Sequence, residues 1–464
     1  MRCLAALLFL AAFATPAAAQ WERTREQIPN LDSLPDRTAE LQKKIDDQHG
    51  SLLLVEPVYR ITKTLEIDLA QHGAMAIKAI GGTTIVMDGP GPAIRLKGTH
   101  QGTASPKSFK PATWNERMPI LTGFEILGAH PEASGVELFQ TVGAIVERVS
   151  VRWCVHGVHL VERNRNVVVS NSHLYENSGV GLYLDNVNLH QINVSNSHIS
   201  YNRAGGIVVR DGNVRNLQVT GCDIEGNMPG DETPTKTANI LIDLTGSADD
   251  KSKSVAEIAI TGCTIQHSAN YSGSEDKTTA PGGANIRLAG KEIYPIDSVA
   301  ITGNVMSDTT TSVDISYAHD VAINSNTFFA PKPNNLVVSN SQRVVVSGNT
   351  FNPRQFERPG TIHFTDCDDC IFASSTIHQF DTSAGAIILD HCSGFSLNGL
   401  VLTNCGSGIV LQNTSNTTIS NCRVSHTEVG AADVAIDSSN EQIQLVGNGF
   451  SGEVRVDPQA IVKP

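Results

Sequence analysis

Positive charge is scarce in this sequence: 34 Lys and Arg face 47 Asp and Glu, a formal net charge of −13. No Lys/Arg block interrupts the deficit, which excludes nucleic acid as a natural partner. Aromatic residues make up only 5% of the chain, with three Trp and seven Tyr. A non-catalytic glycan-binding or adhesin-like spike would want exposed aromatic platforms, so this scarcity weighs against one. Long apolar runs are absent after the first residues, and no later stretch would span a bilayer. Cysteine is present nine times but without a metal signature. Cys367 and Cys370 form CDDC, and no second Cys/His pair at zinc spacing follows.

The single apolar run, MRCLAALLFLAAFATPAAA (1–19), combines one Arg, a short hydrophobic stretch and a small-residue end. It reads as a cleavable secretory signal peptide rather than a membrane anchor, with Gln20 as the first mature residue. The expected address is secreted, meaning extracellular or periplasmic. Arg2 and Cys3 leave with the leader, so the mature chain carries one more net negative charge and eight cysteines.

What the chain has in plenty is self-similarity. VVVSNSHL (167–174) returns as INVSNSHI (192–199) and again as LQVTGCDI (217–224), each 25 residues on. The same strand type starts near 123, 149, 258, 299, 321, 344, 370, 395 and 417, with a degenerate copy at 443–448. A period of 22–25 residues with two 41-residue intervals means coils stacked on coils. Each rung holds a VxVS/T-G-N/C strand and a later G-I-x-L strand such as GLYLD (181–185), with the two-residue alternation of strands. Neither LxxLxL nor Trp-Asp signatures appear. The pattern predicts an all-β, right-handed parallel β-helix of about twelve rungs over 51–464, behind an N-terminal segment (20–50). Within that segment PDRTAELQKKIDDQHG (35–50) predicts a capping helix over 37–47, with Leu41 and Ile45 on one face.

One corner column should then hold Cys154, Ser172, Ser197, Cys222, Cys263, Asn304, Asn326, Asn349 and Cys422. Small and amide side chains stacked there satisfy backbone groups rung after rung. Cys222 and Cys263 fall one rung apart, about 4.8 Å by strand spacing, which permits a disulfide without requiring one.

A capping helix, then LLLVEPVYRITKTLEI, then successive VxVSxN/GxxI rungs resembles the pectin-lyase-like β-helix superfamily over about residues 40–455. That superfamily includes pectate lyases, polygalacturonases, other polysaccharide lyases and hydrolases, and tailspikes. The resemblance implies a polysaccharide or oligosaccharide substrate lying along the sheet of G-I-x-L strands. It does not fix the reaction. The polygalacturonase motifs are missing: Asp249-Asp250 and Asp368-Asp369 fall in turns, His156-Gly157 lacks a preceding glycine, and no RIK follows.

With the corner column as a ruler, Val136, Val158, Leu182, Ile207, Ile240 and Ile286 align as inward residues. Alternation places Glu137, His159, Tyr183, Val208, Leu241 and Arg287 in one outward column. A second outward column holds Phe139, Val161, Asp185, Arg210, Asp243 and Ala289. Insertions before and after strands 238–244 and 284–289 would wall this face into a cleft. The candidate catalytic residues are Asp185, Asp243, Arg210, Tyr183 and His159; Arg287, Glu137, Asp211, His198 and Asp223 are candidate substrate-binding residues. Asp185 and Asp243 stand two rungs apart, about 9.6 Å, within reach of the ~6.5–9.5 Å that suits inverting hydrolysis. The competing chemistry is β-elimination on a uronate glycan, with Arg210 or Arg287 as base and Tyr183 or His159 as acid. In it Ca²⁺ on Asp185, Asp211 and Asp243 would bridge to substrate. No cofactor is required for hydrolysis. Two stacked histidines, His173 and His198, above Asp223 form a second polar face, more simply a decorated turn than a metal site.

Overall fold

The computed structural model describes residues 30–102, 107, 109–229, 234–248, 253–268, 280–330, 333–352, 360–425, 431–457, 460 and 462–463. The leader reading of 1–19 and Gln20 lies outside them. The chain winds as a parallel β-solenoid of about 15 turns, three more than the corner signature predicts. The early turns, from Leu52–Leu54 to Gly91–Lys97, have strands but not the S/T-G-N corner that marks later rungs.

One turn shows why the sequence coils. The strand Leu182–Ser195 alternates buried and outward residues, with Leu182, Leu184, Val187, Leu189, Ile192 and Val194 all in the core. It bends where Asn186 (φ 45°) and Gln191 (φ 66°) adopt left-handed backbone. Asn196 (φ 48°) and Tyr201 (φ 57°) then turn the chain before and after the short strand His198–Ser200. Asn is the non-glycine residue that tolerates this region best. Each return brings Ile, Val or Leu onto its counterpart one rung below, and a fully buried aliphatic side chain of this kind contributes about 1.5–3 kcal/mol.

The predicted corner ladder is present. Ser172 N–H donates to Ser197 Oγ (3.2 Å), and the in-register partners Ser170, Ser195, Thr220 and Thr261 carry the column on to Cys222 and Cys263. Further along, Cys263 N–H donates to Asn304, Asn304 to Asn326 and Asn326 to Asn349. Cys154 is the exception. The strand Ser150–Arg152 pairs with His173–Tyr175, not with the strand before it, and Cys154 N–H donates to Asn177 Oδ1. The 18-residue interval from 149 to 167 is too short for a full turn, so Cys154 sits one corner later. There it starts a second ladder, Asn177–Asn202–Asn227–Asn239–Asn285, in which each amide bonds the next.

Cys222 and Cys263 are free thiols, as are the other six described cysteines, and all are buried. Cys222 Sγ donates to Thr220 O (3.4 Å) and Cys263 Sγ to Thr261 O (3.4 Å), the ordinary work of a small corner residue. The capping helix is Thr38–Asp47, with Leu41 and Ile45 buried against the first coil. Gln42 takes the place of a strand neighbour: its side chain donates to Glu66 O (2.9 Å) and accepts from Glu66 N–H (3.0 Å). That blunts an edge that would otherwise pair with other chains.

Candidate functional site

The ruler holds on the sheet that matters. Glu137, His159, Tyr183, Val208, Leu241 and Arg287 are successive in-register partners, and so are Phe139, Val161, Asp185, Arg210, Asp243 and Ala289. Their inward neighbours are core, which leaves both columns on the outer face.

Four successive rungs bring His159, Tyr183, Asp185, Arg210 and Asp243 together. The His159 and Tyr183 rings stack at 5.1 Å and 7°, and His159 Nε2 lies 3.3 Å from Asp185 Oδ2. Burial and the Asp185 carboxylate push the Tyr183 phenol up to about 12, with Arg210 pulling the other way. Tyr183 therefore stays protonated at any ordinary pH. Arg210 Nη1 donates to Asp243 Oδ2 (2.9 Å). The other Asp243 oxygen accepts from Thr245 N–H (2.9 Å) and Oγ1 (2.5 Å). Asp185 and Arg210 remain 40% and 43% exposed, whereas Asp243 is 14% exposed.

Sequence reasoning passed over His156. Its ring sits 5.1 Å from His159 and 5.0 Å from Tyr183, and its Nδ1 accepts from Val180 N–H (3.1 Å). Burial pulls His156 down to about 4, so it is neutral beside the other two rings. The signal available was its place three residues before His159, where a two-residue alternation gives it no outward column.

The remaining candidates divide. Glu137 is one rung from His159 and bonded to Arg95 Nε (2.6 Å); with Glu66, Lys97, Phe139 and Glu162 they line a recess of about 380 Å³. Arg287 does not face the cluster with a free guanidinium. It donates to Asp314 (2.8 Å), Gly282 O (2.6 Å) and Thr237 O (3.3 Å). Asp211 accepts from Ser247 Oγ (2.5 Å) and braces a turn. His198 and Asp223 pair with each other at 3.4 Å on the strands His198–Ser200 and Asp223–Glu225. The left-handed corners at Asn186, Gln191 and Asn196 separate them from Asp185.

The insertions expected to wall this face lie partly outside the described residues, but the first outward column is itself not open along its whole length. Val208 and Leu241, outward by alternation, are 0% and 3% exposed. With Val180, Ala238 and Ala284 they form a second small core on the outside of the sheet, and Tyr183 packs against it.

Two family models match the chain: "Right handed beta helix region" over residues 125–247 and "Periplasmic copper-binding protein (NosD)" over residues 256–461. No curated protein matches. Among solved structures, the pre-mature bacteriophage phi29 gene product 12 is similar at 13% identity. That match has a TM-score of 0.50 and covers 91% of this chain and 55% of that one. The A-module of Azotobacter vinelandii mannuronan C-5 epimerase AlgE4 aligns at 11% identity, TM-score 0.38, over 93% and 96%. The GH87 α-1,3-glucanase catalytic unit from Streptomyces thermodiastaticus HF3-3 aligns at 15%, TM-score 0.35, over 90% and 66%. The chain is a right-handed parallel β-helix protein.

A copper centre does not fit the described residues. No three His, Cys, Asp or Glu side chains among them converge at ion-binding distance. The cysteines of the matched stretch instead point into the coil: Cys367 Sγ donates to Thr365 O (3.2 Å) and Cys392 Sγ to Asp390 O (3.3 Å). Among the same residues, no helix is long and apolar enough to cross a membrane.

Proposed function

We propose that this chain cleaves an acidic polysaccharide by β-elimination at the His159–Tyr183–Asp185–Arg210 cluster. The observation that carries the reading is the contrast between the two aspartates. Asp243 has both oxygens engaged by Arg210 and Thr245, so it is poorly placed to activate water or pass a proton. That weakens the Asp185/Asp243 pair needed for inverting hydrolysis. Asp185 instead stands at one nitrogen of His159 (3.3 Å), the base–orienter arrangement in which a carboxylate fixes the imidazole's tautomer and orientation. The tyrosine stacked beside it is a protonated donor.

In this reading the Arg210 guanidinium receives the uronate carboxylate, as a planar cation matched to that group. Withdrawal of charge there acidifies the adjacent C–H. The ring nitrogen of His159 remote from Asp185 takes that proton, the neighbouring C–O bond breaks, and a C=C bond forms between the two carbons. Tyr183 gives its proton to the departing oxygen. No metal is needed for these steps: Arg210 supplies the positive charge, and oxygens of Asp243 and Asp211 that calcium would want already accept hydrogen bonds. The signal-peptide reading and the description "periplasmic" of the family matched over 256–461 support export.

The experiment is digestion of a panel of uronate, sulfated and neutral glycans, following new reducing ends and the ultraviolet absorbance of unsaturated sugars together. Both signals rising in step on a uronate glycan is the expected result. Reducing ends without absorbance would replace elimination by hydrolysis, and neither signal on any glycan would overturn the proposal. Mass spectrometry of exported protein should find Gln20, or a close neighbour, as its first residue.

A further inference from the structure

We infer that the substrate groove is closed at one end, so that the protein works from a chain terminus rather than at internal linkages. This inference rests on the site reading above and extends it.

The face carrying the cluster is unequal along the coil axis. On the side of earlier rungs it continues from Tyr183 through His159 and Glu137 into the recess of about 380 Å³ beside Arg95 and Lys97. Arg95 there is matched by Glu137 (2.6 Å) and Glu66 (3.6 Å), so the recess offers paired donors and acceptors suited to sugar hydroxyls. On the side of later rungs the column that carries His159 and Tyr183 is built over, while Arg210 in the neighbouring column stays exposed. Val208 follows Tyr183 in the column, and Leu241 follows Val208; both are buried.

The cover consists of two strand approaches tied to each other. Thr235 N–H donates to Pro281 O (2.8 Å) and Ala284 N–H to Thr237 O (3.3 Å), while Thr237 Oγ1 reaches back to Ala204 O (2.9 Å). Arg287 pins both approaches through Thr237 O and Gly282 O and is itself anchored by Asp314. At Gly205 (φ 128°) even an added Cβ would meet Val208 at 2.4 Å. A glycan lying on the His159–Tyr183 column cannot continue past Tyr183 along that column. It reaches the cluster with its end against the Val208–Leu241 block and its length toward Arg95 and Lys97. Arg287 is thus a positioning residue for the wall, one that sets the mode of cleavage.

The test follows viscosity and released ends together on a panel of soluble uronate polysaccharides, using the whole protein. End-wise action predicts viscosity falling only in proportion to mass released, with one short product dominating from the first minutes. Early collapse of viscosity with a spread of product lengths would overturn the closed-end inference while leaving the elimination reading intact. No cleavage of any uronate glycan would overturn that reading, and this inference with it. Arg287→Ala should raise the viscosity lost per new end several-fold, and Arg287→Lys, which keeps a donor near Gly282, should fall between. If either variant is folded by circular dichroism and leaves the wild-type ratio unchanged, Arg287 does not hold the wall.

Discussion

Replacing Tyr183 with Phe removes one oxygen and nothing else. The ring keeps its contact with the Val180–Val208–Leu241 cluster and its stack on His159, so the fold and the shape of the groove should survive. What disappears is the proton donor. Its phenol, held at about 12 by burial and the Asp185 carboxylate, is charged only in strong alkali, so the wild type should keep its acid across the whole neutral range. Activity depending on it is lost as pH rises toward 12, and no lower-pH limb belongs to this group. General acid catalysis typically contributes about 10²–10⁴-fold. Tyr183→Phe should therefore lower kcat by about that factor, with KM changed little, because the group acts in the transition state more than in binding. Initial rates of absorbance from unsaturated product on a uronate oligosaccharide give both constants. A variant retaining more than half the wild-type kcat would refute the role of Tyr183 as the acid.

The second amide ladder should be a large contributor to stability. Asn202→Ala strips buried partners from Asn177 N–H, Asn177 Nδ2 and Leu174 O. At about 1–3 kcal/mol for each of these buried groups left unmet, a loss of at least about 3 kcal/mol is expected in urea unfolding; a loss under about 1 kcal/mol would contradict the ladder's role. The buried thiols should resist a thiol reagent in the native protein and react once it is denatured without reductant; fast native labelling would refute their burial. At the N-terminal cap, burial raises the Asp36 carboxyl, but bonds from Thr38 and Thr62 outweigh it and hold it at about 2, below its ordinary 3.8. Its folded value is depressed, so its stabilisation is present above about 3.8 and lost as pH falls toward 2. Asp36→Asn should flatten the stability profile in that window, and an unchanged slope would exclude the cap as its source.

The coil was legible because its residues repeat: the strand VxVS with a left-handed Asn or Gly after it occurs often enough to set a register. That register carried through to the outward columns, which the strand pairing reproduces residue for residue from Glu137 to Arg287. Cys154 escapes it because the 18-residue interval from 149 to 167 is a corner offset rather than a full turn. The fate of Arg287, Val208 and Leu241 was hidden for a different reason. Alternation tells which way a side chain points but not what folds over it, and the cover comes from approach segments with no periodicity. His156 was invisible to the same ruler, since its position depends on one bond from Val180 rather than on a column. Asp243 looked like half of a catalytic pair by spacing alone; Thr245, two residues on, takes up the oxygen that spacing left open.

The most direct test of the account is the structure of the Tyr183→Phe variant soaked with a uronate oligosaccharide. The account predicts a sugar carboxylate within hydrogen-bond reach of Arg210, the carbon beside it facing His159, and the chain running toward Arg95 with its end against Val208 and Leu241. An oligosaccharide lodged instead on the His173–His198–Asp223 face, with the His159–Arg210 cluster empty, would contradict it.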